Sequence, residues 1–543
     1  MFPLLSLITF LPLSGGIVVL LFPKERLNLI RWTALSVAWV DLLIVLGLML
    51  AYSQANLAAG STIVGSSPAS TFYANVSEQV TWISTPGFSL NYGLGVDGIS
   101  LLLVALTALL TVVCIAASFK IDLKVKNYMA FMLLLECGIL GVFLSTNLFL
   151  FYIFWELMLI PAYFLVGSWG GERRILDSHS ANDAARLASG SGRVQGSMYA
   201  AIKFVLYTSV GSLLMLTGII ALGYYHQQLV GGPYTLDLIT LLNGKLSSTT
   251  QLWLFLAFAA AFVVKVPFVP FHSWLPDAYS EAPAPVTAML AGAMAKTGTF
   301  GFLRYCIPLF PSAAHSLAPL FEVLAVISIL YCALLAVVQI DIKRLLAYAS
   351  ISHLGIVMLG MFSFNIQGVE GSVLQMVNHG ITIAALFLIV GFIEARTGTR
   401  RLSDFGGLAT RIPVMATVLL IASLSALGLP GLNSFAGEFL ALIGVFRSSS
   451  IYGILGTAVI IPAAWYMMRF FLGMMEGPRL TEGVVASLMR KGTLTDIELG
   501  EFMMLSPLLL LIFYIGLHPN SIIFLMEPSV VNTLQNFTSA LIK

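Results

Sequence analysis

The sequence predicts an all-α polytopic membrane protein of about fourteen transmembrane helices, and three observations predict it. Hydrophobic residues fill 58% of the 543 positions and charged ones only 10%, whereas soluble chains carry roughly a quarter charged. Apolar runs of about 20 residues, enough to cross a hydrocarbon core of roughly 30 Å, recur from one end to the other. Two of these runs are broken near their centres by proline and glycine, a pattern tolerated at membrane depth only where protein buries the backbone or water lines it.

Taken in order, hydropathy places helices near 3–22, 31–52, 98–118, 127–145, 147–169, 200–225, 252–275, 284–309, 317–340, 345–362, 372–394, 412–447, 451–474 and 502–526. The first run has no basic stretch before it and no small-residue cleavage site, so it reads as a retained helix rather than a cleaved signal. Alternate loops divide the charge sharply: one set holds nineteen of the 27 basic residues, from Lys24 through Arg344 to Lys491. The opposite set, with the termini, holds only Lys245, Arg447 and Lys543. The basic side is therefore expected to be cytoplasmic, with both termini on the other face. Cys114, Cys137, Cys306 and Cys332 fall inside apolar runs at unrelated spacings, which gives neither a disulfide framework nor a metal-ligand set. A net charge of +2 and the lack of a phosphate-cradling loop argue against nucleic-acid and nucleotide binding.

The broken runs are Lys265-Val-Pro-Phe-Val-Pro-Phe-His272, interrupted at Pro267 and Pro270, and Gly428-Leu-Pro-Gly-Leu-Asn433, interrupted at Pro430. Proline removes a backbone donor and clashes with the preceding turn. Each break falls in the fourth member of a set of five helices, and five being odd, the second set would start from the opposite face. Two inverted repeats are expected on that ground, against the plainer reading of two kinked helices. The expected division is an N-terminal group of helices over 1–125, a first repeat over 126–310, a second repeat over 311–475, and a loop with a final helix over 476–543.

A charge at the centre of a membrane helix costs roughly 2.5–3.5 kcal/mol, so each one needs a reason. Glu136 and Glu156 lie ten residues either side of the turn at Thr146, which at 1.5 Å per residue puts both about 15 Å deep. Lys265 immediately precedes the first break, and Lys296 lies deep in the next helix. His353 and His379 titrate near neutrality without help, and Glu438 follows the second break. These six residues, Glu156, Lys265, Lys296, His353, His379 and Glu438, are the candidate proton carriers. Glu136, Lys203 and His272 are secondary candidates. Lys203 stands close enough to the basic face to snorkel, each histidine could equally be a structural hydrogen-bond donor, and Arg304 and Arg469 read as interfacial anchors or partners of loop carboxylates.

Several motifs together resemble one family. Phe154-Trp-Glu-Leu-Met-Leu-Ile-Pro161, Tyr199-Ala-Ala-Ile-Lys-Phe204, Pro270-Phe-His-Ser-Trp-Leu-Pro-Asp277, Ala282-Pro-Ala-Pro-Val286 and Ala349-Ser-Ile-Ser-His-Leu-Gly355 look like the antiporter-like subunits of complex I, over about residues 90–475. The resemblance implies a coupled Glu156–Lys265 pair, a relay through Lys296, His353 and His379, and a sixth-helix lysine at Lys203. Its terminal residue is a lysine in most relatives and a glutamate in the chain M or subunit 4 branch, which Gly437-Glu-Phe439 fits. It implies proton translocation driven by quinone reduction, with quinone and redox centres in partner subunits and no cofactor on this chain. The expected partners are the other membrane subunits, neighbouring antiporter-like chains and the lipid of an energy-coupling membrane, bacterial or thylakoid. The alternatives are a subunit of a cation/proton antiporter or membrane-bound hydrogenase, and a non-transporting scaffold. Two departures stand out: a long Ser/Gly-rich loop from Gly171 to Gly196, and a long, nearly uncharged segment from Gln54 to Asn91.

Overall fold

The computed structural model describes residues 3–59, 77–85, 87–171, 194–477 and 483–542. Most of the 171–196 loop and a portion of the 54–91 segment lie outside them.

The architecture is the expected all-α membrane bundle. Among the described residues twelve helices are long and apolar enough to cross a membrane. The long helices do not reproduce the expected fourteen one for one. Several expected spans, 284–309 and 412–447 most clearly, are built from shorter pieces, and an unforeseen helix, Asn520–Ile542, follows the last one.

Local chemistry sets the helix ends. Asp97 caps Gly98–Ala117 by accepting from the Ser100 amide, and the Ser100 hydroxyl accepts from Asp97 in return. Asn147, Asp341 and Asn365 likewise cap the helices Leu148–Leu157, Ile342–Met361 and Ile366–Thr397, each satisfying amides that have no partner within the helix. The expected 147–169 helix is interrupted at Met158. Pro161 explains it, because its missing amide leaves the Leu157 carbonyl without its usual donor.

Helix Ile366–Thr397 is the axis of the molecule, buried along its entire apolar window, whereas the first two helices and Leu499–Leu517 are mostly outward-facing. A helix apolar on every side belongs inside. Its tightest neighbour is Asn433–Ser448, approached through glycines: a Cβ on Gly371 would stand 2.1 Å from the Ala441 nitrogen, and one on Gly444 would stand 2.2 Å from the Gly368 nitrogen. Leu206, Val210, Leu213, Trp253 and Ile461 belong to the exposed apolar belt, as expected of side chains facing lipid.

The nearly uncharged stretch before residue 95 holds an antiparallel hairpin, Ser77–Thr85 paired with Phe88–Gly95, which the helix-period reading did not foresee. It sits over one end of the bundle. Gly93 accepts from the Thr146 amide at 3.0 Å, Phe88 stacks on Tyr234 at 5.4 Å, and Glu78 accepts from the Leu5 and Ser6 amides at 2.6 and 3.0 Å. A loop carboxylate thus neutralises the positive end of the first helix.

Candidate functional site

Both breaks open where the sequence placed prolines, and each is held by side chains from other turns. Helix Ser248–Lys265 ends at Lys265, and the chain runs irregularly to the short helix Trp274–Glu281. The Trp274 indole donates to the freed Val264 carbonyl at 3.0 Å, and the Ser328 hydroxyl accepts from the Val269 amide at 3.0 Å. The second break separates Pro413–Ala426 from Asn433–Ser448. Gly428 and Gly431 adopt φ of +78° and +92° there, which L side chains rarely adopt. Asn378 and Asn433 exchange amide-to-carbonyl hydrogen bonds at 2.7 and 3.2 Å, and Ser425 donates to Asn433 Oδ1 at 2.6 Å. The broken backbone is thereby satisfied without lipid.

Lys296 lies in a helix the sequence predicted to be regular. It is not: wide π-turns at Leu290–Met294 and Phe302–Cys306 flank Lys296–Gly301. Such turns leave the i→i−4 register and gather at functional positions. Here the Ala291 carbonyl, five residues back, accepts from Lys296 Nζ at 2.5 Å.

Four of the six candidate carriers form one row, buried from Lys296 to His353 and half-buried at Glu438. Lys296 Nζ meets His379 Nδ1 at 2.7 Å. The His379 and His353 rings are 5.8 Å apart, centre to centre, and His353 Nδ1 meets Glu438 Oε1 at 2.7 Å. The amide of Gln375 donates to the same oxygen at 2.8 Å, while the Tyr466 hydroxyl lies 3.4 Å from His353 Nε2. His353, Gln375, His379, Thr382 and Ser434 line a small internal cavity. Gln375 and Tyr466 went unremarked in the sequence, because an amide or phenol within an apolar run carries no charge to flag it.

The other two carriers form a looser site. Lys265 is 1% exposed, and its ammonium has no hydrogen-bond partner among the described residues. It lies instead over the rings of Trp155 and Phe204, 5.3 and 5.5 Å from their centres, in cation–π geometry. Glu156 Oε1 is also unpartnered.

The secondary candidates separate. Lys203 donates to Asp277 Oδ2 at 2.8 Å and to the Ser273 carbonyl at 2.9 Å, tying helix Val194–Val230 to the segment after the first break. Arg344 also bonds Asp277. The His272 ring rests against Tyr331 and Tyr348 at 5.9 and 6.3 Å. Glu136 is fully buried, and the carboxylate beside it is Asp41. Arg304 takes the second of its two expected roles, partner of a carboxylate outside the helices: it is 2% exposed and pairs with the helix-capping Asp97 at 2.5 Å. Arg469 caps carbonyls, including that of Gln339 at 3.1 Å.

Where the basic loops converge, an open cavity is lined by Lys120, Glu281, Lys343, Glu394, Arg400 and Glu501. These charges are paired: Lys343 with Glu394 at 2.8 Å, Arg400 with Asp341 at 3.1 Å, and Glu501 with Lys120 at 3.0 Å. Arg396 also grips Glu501, at 2.5 Å.

Residues 184–461 match the family model described as NADH:quinone oxidoreductase/Mrp antiporter, TM. NADH-quinone oxidoreductase subunit M of Rickettsia felis is 35% identical over 541 residues, which is 98% of this chain and 99% of the relative. Among solved structures, a chain of respiratory complex I from Thermus thermophilus with bound NADH superposes with a TM-score of 0.78 at 29% identity, covering 98% of this chain and 99% of that one. A chain of the Mrp complex from Dietzia sp. DQ12-45-1b shares the fold, with a TM-score of 0.75 at 21% identity and full coverage of both.

Proposed function

We propose that this chain, which belongs to the NADH:quinone oxidoreductase/Mrp antiporter family of integral membrane subunits, conducts protons for a complex I-type quinone oxidoreductase. The observation that carries the reading is the row Lys296, His379, His353, Glu438, whose neighbouring members are bonded at 2.7 Å or, for the two histidines, have rings 5.8 Å apart and tilted by 43°. Ionisable groups in a membrane interior are expensive, and a connected file of them is a reason to keep them.

In this reading protons enter from the basic face, which the loop charges make cytoplasmic, through the cavity lined by Lys343 and Glu394. They pass among Glu156, Lys265, Lys296, His379, His353 and Glu438 and leave on the face that carries both termini. Lys296 gives a proton to His379 Nδ1. The gap to His353 is within reach of one bridging water, and His353 Nδ1 hands the proton to Glu438. The breaks at Pro267, Pro270 and Pro430 provide irregular backbone beside the path. They lie in two inverted repeats, 126–310 and 311–475, between the N-terminal helices of 1–125 and the segment 476–543.

Energy comes from elsewhere, since each proton moved against 100 mV costs about 2.3 kcal/mol. Quinone and redox centres in partner subunits supply it, with neighbouring antiporter-like chains passing it on. Separation of Glu156 from Lys265 destabilises the lysinium and pushes its proton towards Lys296. The test is Lys265→Ala in the assembled complex, reconstituted in vesicles: quinone reduction should lose its proton uptake. Pumping at the parental ratio of protons to electrons would end the scheme. Copurifying iron–sulfur subunits separate this reading from a stand-alone cation/proton antiporter.

A further inference from the structure

To one side of the row, the seam where helix Leu27–Ala59 packs on helix Val125–Leu144 holds two acids that none of the steps above uses. Asp41 lies in the middle of Leu27–Ala59 and Glu136 in Val125–Leu144. Neither exposes any surface, and among the described residues the only polar hydrogen close to any of their four carboxylate oxygens is that of the Thr111 hydroxyl, beside Glu136.

Depth brings them together. Arg31 pairs with Asp122 at 2.7 Å, which levels the start of the first helix with the turn before the second at the basic face. Asp41 comes ten residues after Arg31, and Glu136 eleven after Val125. At 1.5 Å per residue both are about 15 Å in, the midplane of a 30 Å core. Each lies within electrostatic reach of the other. The packed helices bring neutral or engaged groups. Leu4–Leu21 has no ionisable residue, and Gly98–Ala117 brings Cys114 and Thr111, whose hydroxyl lies close to Glu136 and donates to the Thr107 carbonyl at 3.0 Å. Cys137 adjoins Glu136 in sequence, and the Tyr128 hydroxyl is bonded to Ser118 at 2.9 Å. Of the helices that also touch Val125–Leu144, Leu148–Leu157 carries Glu156, and Lys296–Gly301 carries Lys296, held by His379.

Two bare carboxylates cannot remain side by side there. Burial disfavours each charge, neighbouring like charges disfavour both, and among the described residues no cation is bonded to either. A carboxyl group, by contrast, is neutral and can donate to the acid next to it.

We propose that Asp41 and Glu136 form a proton-binding dyad, a lateral site between these two helices where the chain takes up and releases hydrogen ions. The step is a simple protonation: one carboxylate oxygen gains a proton from water admitted to the pair, the O–H is shared with the partner acid, and nothing is oxidised or reduced. The dyad does not depend on the relay.

The experiment is infrared spectroscopy of the assembled complex in lipid, scanned from acid to alkaline pH in H2O and D2O. A protonated-carboxyl band should appear, shift on deuteration and bleach as pH rises. Glu136→Gln should remove the Glu136 contribution, and Asp41→Asn should move the remaining band and its titration midpoint, as expected of coupled sites. Wild-type complex carrying carboxyl-labelled glutamate or aspartate assigns the bands without any substitution. Lack of such a band, a band indifferent to pH, or a Glu136 titration unchanged by Asp41→Asn would each overturn the proposal. Failure of both amide variants to assemble would also overturn it, because an amide is close in shape and charge to a protonated acid. Repeating the scan on Lys265→Ala separates the two readings, since the dyad band should persist there whether or not pumping survives.

Discussion

The two halves of the bundle solve the same problem differently. In the first half a lysine and a glutamate, Lys265 and Glu156, stand beside a break without touching through hydrogen bonds, and the ammonium leans on aromatic faces. In the second half a histidine and a glutamate, His353 and Glu438, are joined at 2.7 Å and braced by Gln375. The first pair is poised and the second is latched. A charge resting on a π-face is held weakly and can be displaced, whereas a carboxylate with two donors is fixed in direction. The first site is thus suited to respond to an incoming field, and the second to receive and hold.

The sharpest way to break this contrast is Glu438→Gln. It removes the ionisable carboxylate that can take a proton from His353 while leaving an amide oxygen to accept hydrogen bonds, and proton transfer should fall by about tenfold or more, the equivalent of about 1.4 kcal/mol in barrier. Proton uptake into vesicles checks it, and parental pumping would dissolve the latch. Arg304→Ala tests structure rather than transfer. Breaking a buried pair by removing one partner costs about 3–5 kcal/mol, so the expected result is loss of assembled complex on native gels, with any residual complex pumping at the parental ratio. Gln375→Leu should leave Glu438 one donor short and slow transfer about three- to tenfold, in line with roughly 1 kcal/mol for one hydrogen bond. Trp155→Leu removes one of the two rings under Lys265. A cation–π contact at a desolvated site is worth about 1–2 kcal/mol, so the pH profile of pumping should move while assembly holds. Tyr466→Phe should do least, below about twofold, because a 3.4 Å contact is a weak hydrogen bond. A larger effect would make Tyr466 a working member of the second site.

Much of this was legible beforehand, and the gaps have causes. Lys265, Lys296 and Glu438 announced themselves as charges in apolar runs, and Pro267, Pro270 and Pro430 announced the breaks. The hairpin over 77–95 was missed because a short, polar, aromatic segment gives no helix period to follow. The π-turns around Lys296 were missed for another reason: Leu-Ala-Gly-Ala-Met reads as an ordinary helix, and only packing against the lysine and its neighbours widens it. Glu136 was matched by depth to Glu156, yet its neighbour is Asp41.

By itself the sequence determined the class of solvent, most of the spans in order and the two proline-marked breaks, and it nominated the candidate proton carriers. Tertiary structure alone decided which of those residues meet. The physical reason is that depth follows from counting residues along an axis, while facing depends on rotation about it. A soluble helix betrays its rotation through an apolar stripe. A helix such as Ile366–Thr397, buried on every side, carries no such mark, so the meeting of His379 with Lys296 waits on the helices that surround it.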